Sequence, residues 1–483
     1  MTLDLSTPRR LHVVGVGGTG MNAVAAVLIG MGHHVTGSDL KESAAVQRVR
    51  ALGAQVRIGH DPGVVEGVDA VVTSTAVPAT NPEIRAARAA GVPVLHRSKI
   101  LGELARTHRS VAIAGTHGKT TTSSMLTLAL RHAGWQPSFV IGGDVNEIGT
   151  GAGWGDGDVF VVEADESDGT FLELATGAVV VTSVEPDHLE HYGSDPEHAA
   201  EALHDAFVEF LTGATGPRVI CVDEPGAAAL ATVAPCVTYG TDERADHRIV
   251  DVVASRAQIS FTVRAPDGVS TRLDLPLPGL HNARNATAAF VMALELGAPP
   301  EPIVEALGHF GGVARRYEFR GSARGVTFVD DYAHIPGELT AALATAATGR
   351  FDRVVAVFQP HRYSRTATLW RSFADAFVDA EVVVLTDVYA AGEAPRPGVS
   401  GELIVDAVLD AHPRARVVYL PRRDDLVAFL TSELRAGDVC LTLGAGDITT
   451  LSADVLASWR GVREPTAGSG ETVGVAERRP DRR

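Results

Sequence analysis

Short apolar runs alternate along this chain with longer segments that have helical spacing. Residues 111–114 have the length of a fully buried strand, and residues 121–134 bring apolar side chains back at helical intervals up to a stop at Gly134. Strands that alternate with helices are typical of parallel sheets covered by helices on their faces. The pattern therefore predicts an α/β fold.

Breaks in this pattern divide the chain into three domains, as expected for 483 residues, which exceed the size of one hydrophobic core. We predict an N-terminal Rossmann-like βαβ domain at residues 1–107 and a central mononucleotide-binding α/β domain at residues 108–312. A C-terminal Rossmann-like α/β domain follows at residues 313–462. Residues 463–483 lack apolar periodicity and are predicted to be a disordered tail.

The segment SVAIAGTHGKTTTSSM, residues 110–125, combines a buried strand, a glycine loop and a helix start. Backbone N–H groups at such a turn face an anion, Lys119 can reach the β- and γ-phosphates, and the Thr120 hydroxyl can bind Mg²⁺. The usual phosphate loop has two more residues before its Gly-Lys pair, so an ordinary strand–turn–helix is the alternative. We interpret the segment as an ATP site made by Gly115, Thr116, His117, Gly118, Lys119, Thr120 and Thr121.

A second glycine turn, GVGGTG at residues 15–20, follows the first predicted strand, and Asp39 lies at the end of the second. This spacing is the dinucleotide-binding fingerprint. Three readings remain open: a turn that binds NAD or FAD, a turn that binds another diphosphate such as a nucleotide sugar, and a close-packed turn with no ligand. The turn geometry is the same for any diphosphate, so the pattern does not choose among nucleotides.

Polar side chains at two predicted strand ends indicate a divalent-metal site. Glu163 ends one apolar strand, and His188 follows another. Ligands bind at this edge of open α/β sheets, so the two side chains could hold a metal that bridges phosphates; capping roles are the alternative. Asn282 and Asn285 share one face at a helix start, where they could read a purine or serve as caps.

Composition narrows the function classes. The formal net charge of −17 argues against a nucleic-acid partner. The three cysteines lack metal-ligand spacing and are expected to be reduced thiols. The sequence has no signal-peptide pattern and no apolar stretch of membrane-spanning length, so we predict a cytoplasmic protein without membrane contacts. We expect a monomer or a weak homodimer.

Ten sequence blocks, in order, resemble the Mur ligases of peptidoglycan synthesis. They are GVGGTGM, GTHGKTTTSSM, EADESDGTFL, DHLEHY, HNARNA, RRYE, DDYAH, QPHRYSRT, DVYAAGEAP and GAGDI. The blocks DDYAH and FQPHRYSRT are similar to the branch that adds alanine. The resemblance implies a three-domain enzyme that uses ATP and Mg²⁺, with two ions expected, to phosphorylate the lactyl carboxylate of UDP-N-acetylmuramate. The amine of L-alanine then attacks the acyl phosphate and forms an amide.

The resemblance also implies roles for individual residues. Lys119 is expected at the γ-phosphate, Thr120 and Glu163 at one Mg²⁺, and His188 at the second. The other implied contacts are Asn282 and Asn285 near adenine; Arg316 and Asp331, from different domains, at the phosphates and the ribose; Gly17, Gly18 and Thr19 at the UDP diphosphate; and Tyr332, His334, His361, Arg362 and Arg365 around alanine and the muramyl carboxylate. Domain closure would then be a condition of catalysis. The general base stays unassigned.

This chain departs from the family pattern at a few positions. Ile335 and Gly337 replace a second His and a Thr, and Ser183, Glu185 and Pro186 stand where other residues are more frequent. Three alternatives to alanine ligation are a ligase of the same family that adds a preformed peptide, an NAD-dependent oxidoreductase, and a non-catalytic nucleotide-binding regulator. The oxidoreductase leaves GTHGKTT, EADESD and QPHRYSRT unexplained.

Overall fold

A computed structural model describes residues 3–174, 177–185, 191–193, 195–255 and 257–461 of the chain. The predicted tail, together with Pro186 and His188, lies outside the described residues. The described residues form two compact units, one running to Glu318 with residues 348–350 added and the other made of residues 319–347 and those from Phe351 on. They contain three sheets, which confirms the predicted three-part α/β architecture.

The first sheet is a five-stranded parallel sheet in the order β3-β2-β1-β4-β5. Its strands are β1 (Arg10–Val14), β2 (His34–Asp39), β3 (Gln55–Ile58), β4 (Ala70–Thr73) and β5 (Val94–His96), and its helices are α1 (Thr19–Gly30), α2 (Ala44–Ala51), α3 (Pro82–Ala89) and α4 (Arg97–Thr107). The strand order reverses between β1 and β4: the chain adds β2 and β3 on one side of β1 and β4 and β5 on the other. Ligands bind at this switch point in doubly wound folds. The glycine turn after β1 lies at this point.

The second sheet has ten strands in the order β15-β14-β13-β12-β11-β10-β6-β9-β7-β8. Its strands are β6 (Arg109–Ala114), β7 (Ser138–Val145), β8 (Thr150–Gly153), β9 (Val159–Glu163), β10 (Ala178–Val181), β11 (Arg218–Cys221), β12 (Val237–Gly240), β13 (His247–Ala254), β14 (Ile259–Arg264) and β15 (Ser270–Leu275). Its helices are α5 (Lys119–His132), α6 (Pro196–Gly213), α7 (Pro225–Leu230), α8 (Leu280–Glu295) and α9 (Pro300–Gly308). Because β9 and β10 flank β6 in parallel, all three strands end at one edge.

Two apolar clusters hold the first unit together. One extends from Leu28 on α1 to Phe160 on β9 and Phe207 on α6, so that it joins the first sheet to one face of the second. The other packs α5, α8 and α9 against the opposite face. Burial on both faces explains why the central strands read as continuous apolar runs rather than as alternating patterns.

The third sheet belongs to the second unit and has the order β16-β17-β21-β18-β19-β20. Its strands are β16 (Glu318–Ala323), β17 (Val326–Asp331), β18 (Arg353–Phe358), β19 (Val382–Leu385), β20 (Val417–Tyr419) and β21 (Asp438–Leu443), and its helices are α10 (Pro336–Thr348), α11 (Tyr363–Leu369), α12 (Glu402–Ala411), α13 (Arg423–Glu433) and α14 (Leu451–Gly461). Strands β17 to β21 pair in parallel, so their carboxyl ends share one edge. Within the described part of the chain, no helix combines the length and apolar character needed to cross a bilayer.

Candidate active site

The N-terminal glycine turn is braced by a carboxylate. The Gly17 N–H donates to Asp39 Oδ2 at 2.8 Å, and the Lys41 N–H donates to Asp39 Oδ1 at 3.1 Å. An added Cβ at position 17 would lie 2.8 Å from Asp39 Oδ2, so a larger residue would displace the carboxylate that braces the turn. Both oxygens of Asp39 therefore hold backbone, a contact that does not depend on any nucleotide.

Gly18 and Thr19 lie at the start of α1, where Gly18 is the N-cap and no side chain caps the helix. The guanidinium of Arg97, the first residue of α4, lies against Gly20 in the same turn. Uncapped N–H groups and a neighbouring guanidinium are suited to bind a diphosphate. Sequence reasoning missed Arg97, because nothing local marks the start of α4 as a neighbour of the turn.

The phosphate loop leaves β6 in the middle of the second sheet and opens α5 at Lys119. Two of its backbone N–H groups are already bonded to Ser183 in the loop that follows β10. The Thr116 N–H donates to the Ser183 carbonyl at 3.0 Å, and the His117 N–H donates to Ser183 Oγ at 2.9 Å. Glu185 adds a backbone N–H bond to Thr116 Oγ1 at 2.9 Å. Anion-facing N–H groups are thus concentrated in the second half of the loop, where α5 begins.

Lys119 is held inside the loop by a buried carboxylate. Its Nζ donates to the Gly115 carbonyl at 2.7 Å and lies 3.0 and 2.9 Å from the two oxygens of Glu166. Burial alone would lower the pKa of Lys119, but the carboxylates of Glu166, Asp165 and Glu163 outweigh it and raise that pKa. The ammonium group therefore keeps its charge in an enclosed site.

Thr120 and Glu163, which the resemblance implies as ligands of one metal ion, lie side by side. Thr120 Oγ1 donates to Glu163 Oε1 at 3.0 Å, and the Gly142 N–H donates to Glu163 Oε2 at 2.7 Å. Arg316 Nη2 lies 3.5 Å from Thr120 Oγ1, which brings a guanidinium to the same place. Among the described residues no three His, Cys, Asp or Glu side chains cluster as metal ligands, and His188 lies outside those residues.

The two asparagines of α8 lie at the start of that helix, and Asn285 is next to the phosphate loop. Asn285 Oδ1 occupies the space that a side chain at Gly118 would need. Asn282 Nδ2 donates to the Pro278 carbonyl at 2.7 Å. The Arg284–Asp223 ion pair, 2.5 Å long, ties the helix start to the segment after β11.

A second group of predicted residues meets at the carboxyl edge of the third sheet. Asp331 ends β17 and accepts the Ala333 N–H at 2.8 Å. The rings of Tyr332 and His334 are 5.3 Å apart, and those of His334 and His361 are 5.8 Å apart. The structure therefore brings together residues that are nearly 30 positions apart in the sequence.

His361 is a neutral imidazole surrounded by cations. Burial is the largest cause that lowers its pKa to about 4, followed by the charges of His334, Arg365 and Arg362. Arg365 Nη1 lies 3.2 Å from His361 Nδ1, which accepts a hydrogen bond in the neutral ring. The guanidinium groups of Arg362 and Arg365 have the planar fork that suits a carboxylate.

Two residues of the DVYAAGEAP block complete this edge, although the sequence assigned them no role. Tyr389 stacks on His361 at 5.8 Å and 11°, and its carbonyl accepts the Arg362 N–H at 2.8 Å. Glu393 accepts the Ser364 N–H at 2.9 Å. Arg362 has a φ of +71° and a ψ of 137°, a positive-φ conformation that is uncommon for an arginine, and its N–H is held by the Tyr389 carbonyl. Their position directly after β19 is the signal that could have identified them.

Three family models cover most of the chain. The Mur ligase family catalytic domain matches residues 10–109, the Mur ligase middle domain matches 113–293, and the Mur ligase glutamate ligase domain matches 315–446. The chain belongs to the Mur ligase family. It is 44% identical over 460 residues to the UDP-N-acetylmuramate–L-alanine ligase of Anaeromyxobacter sp. strain Fw109-5, with 94% of this chain and 99% of the relative covered.

Solved structures of Mur ligases share the fold. The crystal structure of UDP-N-acetylmuramate–alanine ligase from Thermotoga maritima matches with a TM-score of 0.79 and 29% identity over 94% of this chain and 99% of that one. A murein peptide ligase from Psychrobacter arcticus matches with a TM-score of 0.68 and 23% identity, over 94% of this chain and 100% of that one. The fold class and the family inferred from the sequence are thereby confirmed.

One departure from the Mur ligase pattern has a structural explanation. Ile335, which stands where a second His is usual, is buried with 2% of its surface exposed. It lies just before α10, and its carbonyl accepts the Leu339 N–H at 3.1 Å. Ile335 therefore contributes to the hydrophobic core of this Mur ligase rather than to the polar edge.

Proposed function

We propose that the protein is an ATP-dependent ligase that joins L-alanine to the lactyl carboxylate of UDP-N-acetylmuramate. The observation that carries the proposal is its end-to-end similarity to a relative that bears the name of this activity, at 44% identity over 94% of the chain. The phosphate loop, the adjoining acids and the arginines at the carboxyl edge of the third sheet all suit this reaction. The domain bounds, the cytoplasmic location and the monomeric or weakly dimeric state remain predictions.

The proposed first step transfers the γ-phosphoryl group of ATP to the lactyl carboxylate, giving ADP and an acyl phosphate. Lys119 would neutralise charge on the transferring group, and Gly118 to Thr121 would present backbone N–H groups to the phosphates. Arg316, next to Thr120, would add a second cation. Asn282 and Asn285 would lie near the adenine, and Asp331 would bind the ribose.

Thr120 and Glu163 fit a Mg²⁺ ion, which they would hold beside the phosphate loop. Their oxygens are 3.0 Å apart, and Mg²⁺ prefers few protein oxygens together with water and phosphate ligands. When bound, the ion would supply charge neutralisation to the phosphates. Binding of a second Mg²⁺ at His188 stays a prediction, since that residue lies outside the described part of the chain.

In the proposed second step the alanine amine attacks the acyl carbon, phosphate leaves and the nitrogen loses a proton as the amide forms. Arg362 and Arg365 would hold carboxylates, and Tyr332, His334 and His361 would line the pocket. Gly17, Gly18 and Thr19 would bind the UDP diphosphate. Binding at both ends would fix the substrate in the reacting geometry. The translational and rotational entropy is then lost on binding, which lowers the barrier of the chemical step.

Phosphate release from the purified protein tests the function. ATP, Mg²⁺ and UDP-N-acetylmuramate are supplied with L-alanine, with the tripeptide L-Ala-γ-D-Glu-meso-diaminopimelate, or with neither. We expect release that depends on L-alanine. Release that requires the tripeptide would instead assign the protein to peptide ligation. If neither acceptor causes phosphate release, both assignments would be contradicted.

A further inference from the structure

Among the acids next to the phosphate loop whose side chains the structure describes, Glu166 is the most deeply enclosed, with 1% of its side chain exposed. It follows β9 in a short 3-10 turn, Glu166–Asp168, whose preceding residue Asp165 accepts the Ser167 N–H at 3.2 Å. Tyr192 Oη donates to the Glu166 carbonyl at 2.6 Å. The backbone of Glu166 is therefore fixed independently of its side chain.

The carboxylate of Glu166 meets the amino group of Lys119 with both oxygens, at 3.0 and 2.9 Å. An ammonium group has three N–H donors. The Gly115 carbonyl accepts at 2.7 Å, Glu166 accepts through its carboxylate, and the Thr116 carbonyl lies 3.5 Å away. Glu166 is the charged member of this set, so it holds the ammonium group at the start of α5 more strongly than the two carbonyls do.

The long side chain of Lys119 needs such a restraint. An unrestrained lysine loses about 2 kcal/mol of rotamer freedom when it is fixed on a ligand. A lysine already held by Glu166 loses less rotamer freedom, so less of the binding free energy is spent on ordering it when the phosphate binds. Glu163, three residues earlier, receives the hydroxyl of the adjacent Thr120, so consecutive loop residues are held by two acids from one strand end.

We infer that Glu166 is a positioning residue for the phosphate-binding lysine, acting through its ion pair with Lys119. The inference rests on the proposed ATP-dependent function and names a residue to which neither the sequence motifs nor the comparisons give a role. Glu166 itself does not contact the nucleotide; it fixes the direction of the Lys119 amino group before ATP arrives.

The test measures binding of the non-hydrolysable analogue AMP-PNP with Mg²⁺, which does not require ligase activity. We expect Glu166→Gln to weaken AMP-PNP binding about tenfold, because the amide keeps one acceptor but loses the charge. The affinity of Glu166→Asp should lie between those of the wild type and Glu166→Gln. Affinity for UDP-N-acetylmuramate should stay within twofold. Glu173→Gln, which breaks the surface pair of Glu173 with Lys99 (2.8 Å), is the matched control and should change neither affinity.

A double-mutant cycle separates positioning from a general structural effect. In a Lys119→Met background, Glu166→Gln should change AMP-PNP affinity less than twofold, because the residue through which it acts is gone. Equal weakening in both backgrounds, or unchanged or tighter binding in the single variant, would overturn the inference. Failure of the wild-type protein to bind AMP-PNP would instead contradict the proposed function.

Discussion

Gly17 and Asp39, 22 residues apart in the chain, are joined by a hydrogen bond of 2.8 Å from the Gly17 N–H to the Asp39 carboxylate. In the dinucleotide-binding fingerprint an acid at this position recognises a ribose. Here it stabilises the turn itself, because its other oxygen accepts the Lys41 N–H. The arrangement stabilises a turn whose shape suits a diphosphate.

Replacement of Asp39 should therefore act through the turn. We expect Asp39→Ala to lower the free energy of unfolding by about 1–3 kcal/mol, the cost of a lost charged hydrogen-bond acceptor, and to weaken binding of UDP-N-acetylmuramate. Calorimetry with this ligand and with NAD is the measurement. Asp69→Ala is the control, since Asp69 accepts the Arg10 N–H at 2.8 Å at the opposite end of β1. Unchanged UDP-sugar affinity in Asp39→Ala would contradict this role.

The same residues show how far sequence reasoning reached. The glycine turn, Asp39 at a strand end and the phosphate loop were predicted because local spacing specifies a turn and the helix that follows. The pairing of Asp39 with Gly17, and of Glu166 with Lys119, was not predicted. Those contacts depend on which strands become neighbours, and strand order is a property of the whole sheet. Tyr389 was missed for the same reason, since only the parallel edge brings it to His361.

Gly118 cannot accept a side chain, for two separable reasons. Its φ of +84° strains any L-residue, and an added Cβ would collide with Asn285 Oδ1. We expect Gly118→Ala to abolish binding of AMP-PNP and to destabilise the protein by more than the backbone strain of about 1–2 kcal/mol. Gly134, just beyond the other end of α5, has a φ of +79° and open space around it. Gly134→Ala should therefore show the strain alone, with nucleotide binding intact; equal binding by both variants would contradict the steric argument.

Lys119 should be essential for turnover but not for UDP-sugar binding. Lys119→Met leaves the carboxylate of Glu166 buried without its partner, which costs about 3–5 kcal/mol of stability. The double variant Lys119→Met/Glu166→Gln removes that charge and should recover most of the stability. Its rate of phosphate release should stay about 10²–10³-fold below that of the wild type. Urea unfolding and phosphate release measure the two effects. Loss of UDP-N-acetylmuramate binding in the stable double variant would show that the glycine turn and the phosphate loop do not act separately.

His361 should titrate well below an ordinary histidine, with a pKa of about 4. Because this value lies below the unfolded value of 6.5, the unfolded state binds more protons between about pH 4 and 6.5. The His361 contribution to the free energy of unfolding therefore falls as the pH decreases through that window. NMR titration of the ring protons, assigned with His361→Asn, measures the midpoint directly. A midpoint above pH 6 would contradict the buried, cation-flanked environment.

Arg362 combines a strained backbone with a charged side chain, and two substitutions separate these properties. Both Arg362→Gly and Arg362→Ala remove the guanidinium, so both should raise the KM for L-alanine. Only glycine adopts the φ of +71° without strain, so Arg362→Gly should be more stable than Arg362→Ala by about 1 kcal/mol. Chemical unfolding of the two variants measures the difference, which is independent of activity. Equal stability would mean that the segment between β18 and α11 relaxes once the side chain is removed. The positive φ would then depend on the arginine side chain rather than on the Arg362 N–H bond to Tyr389.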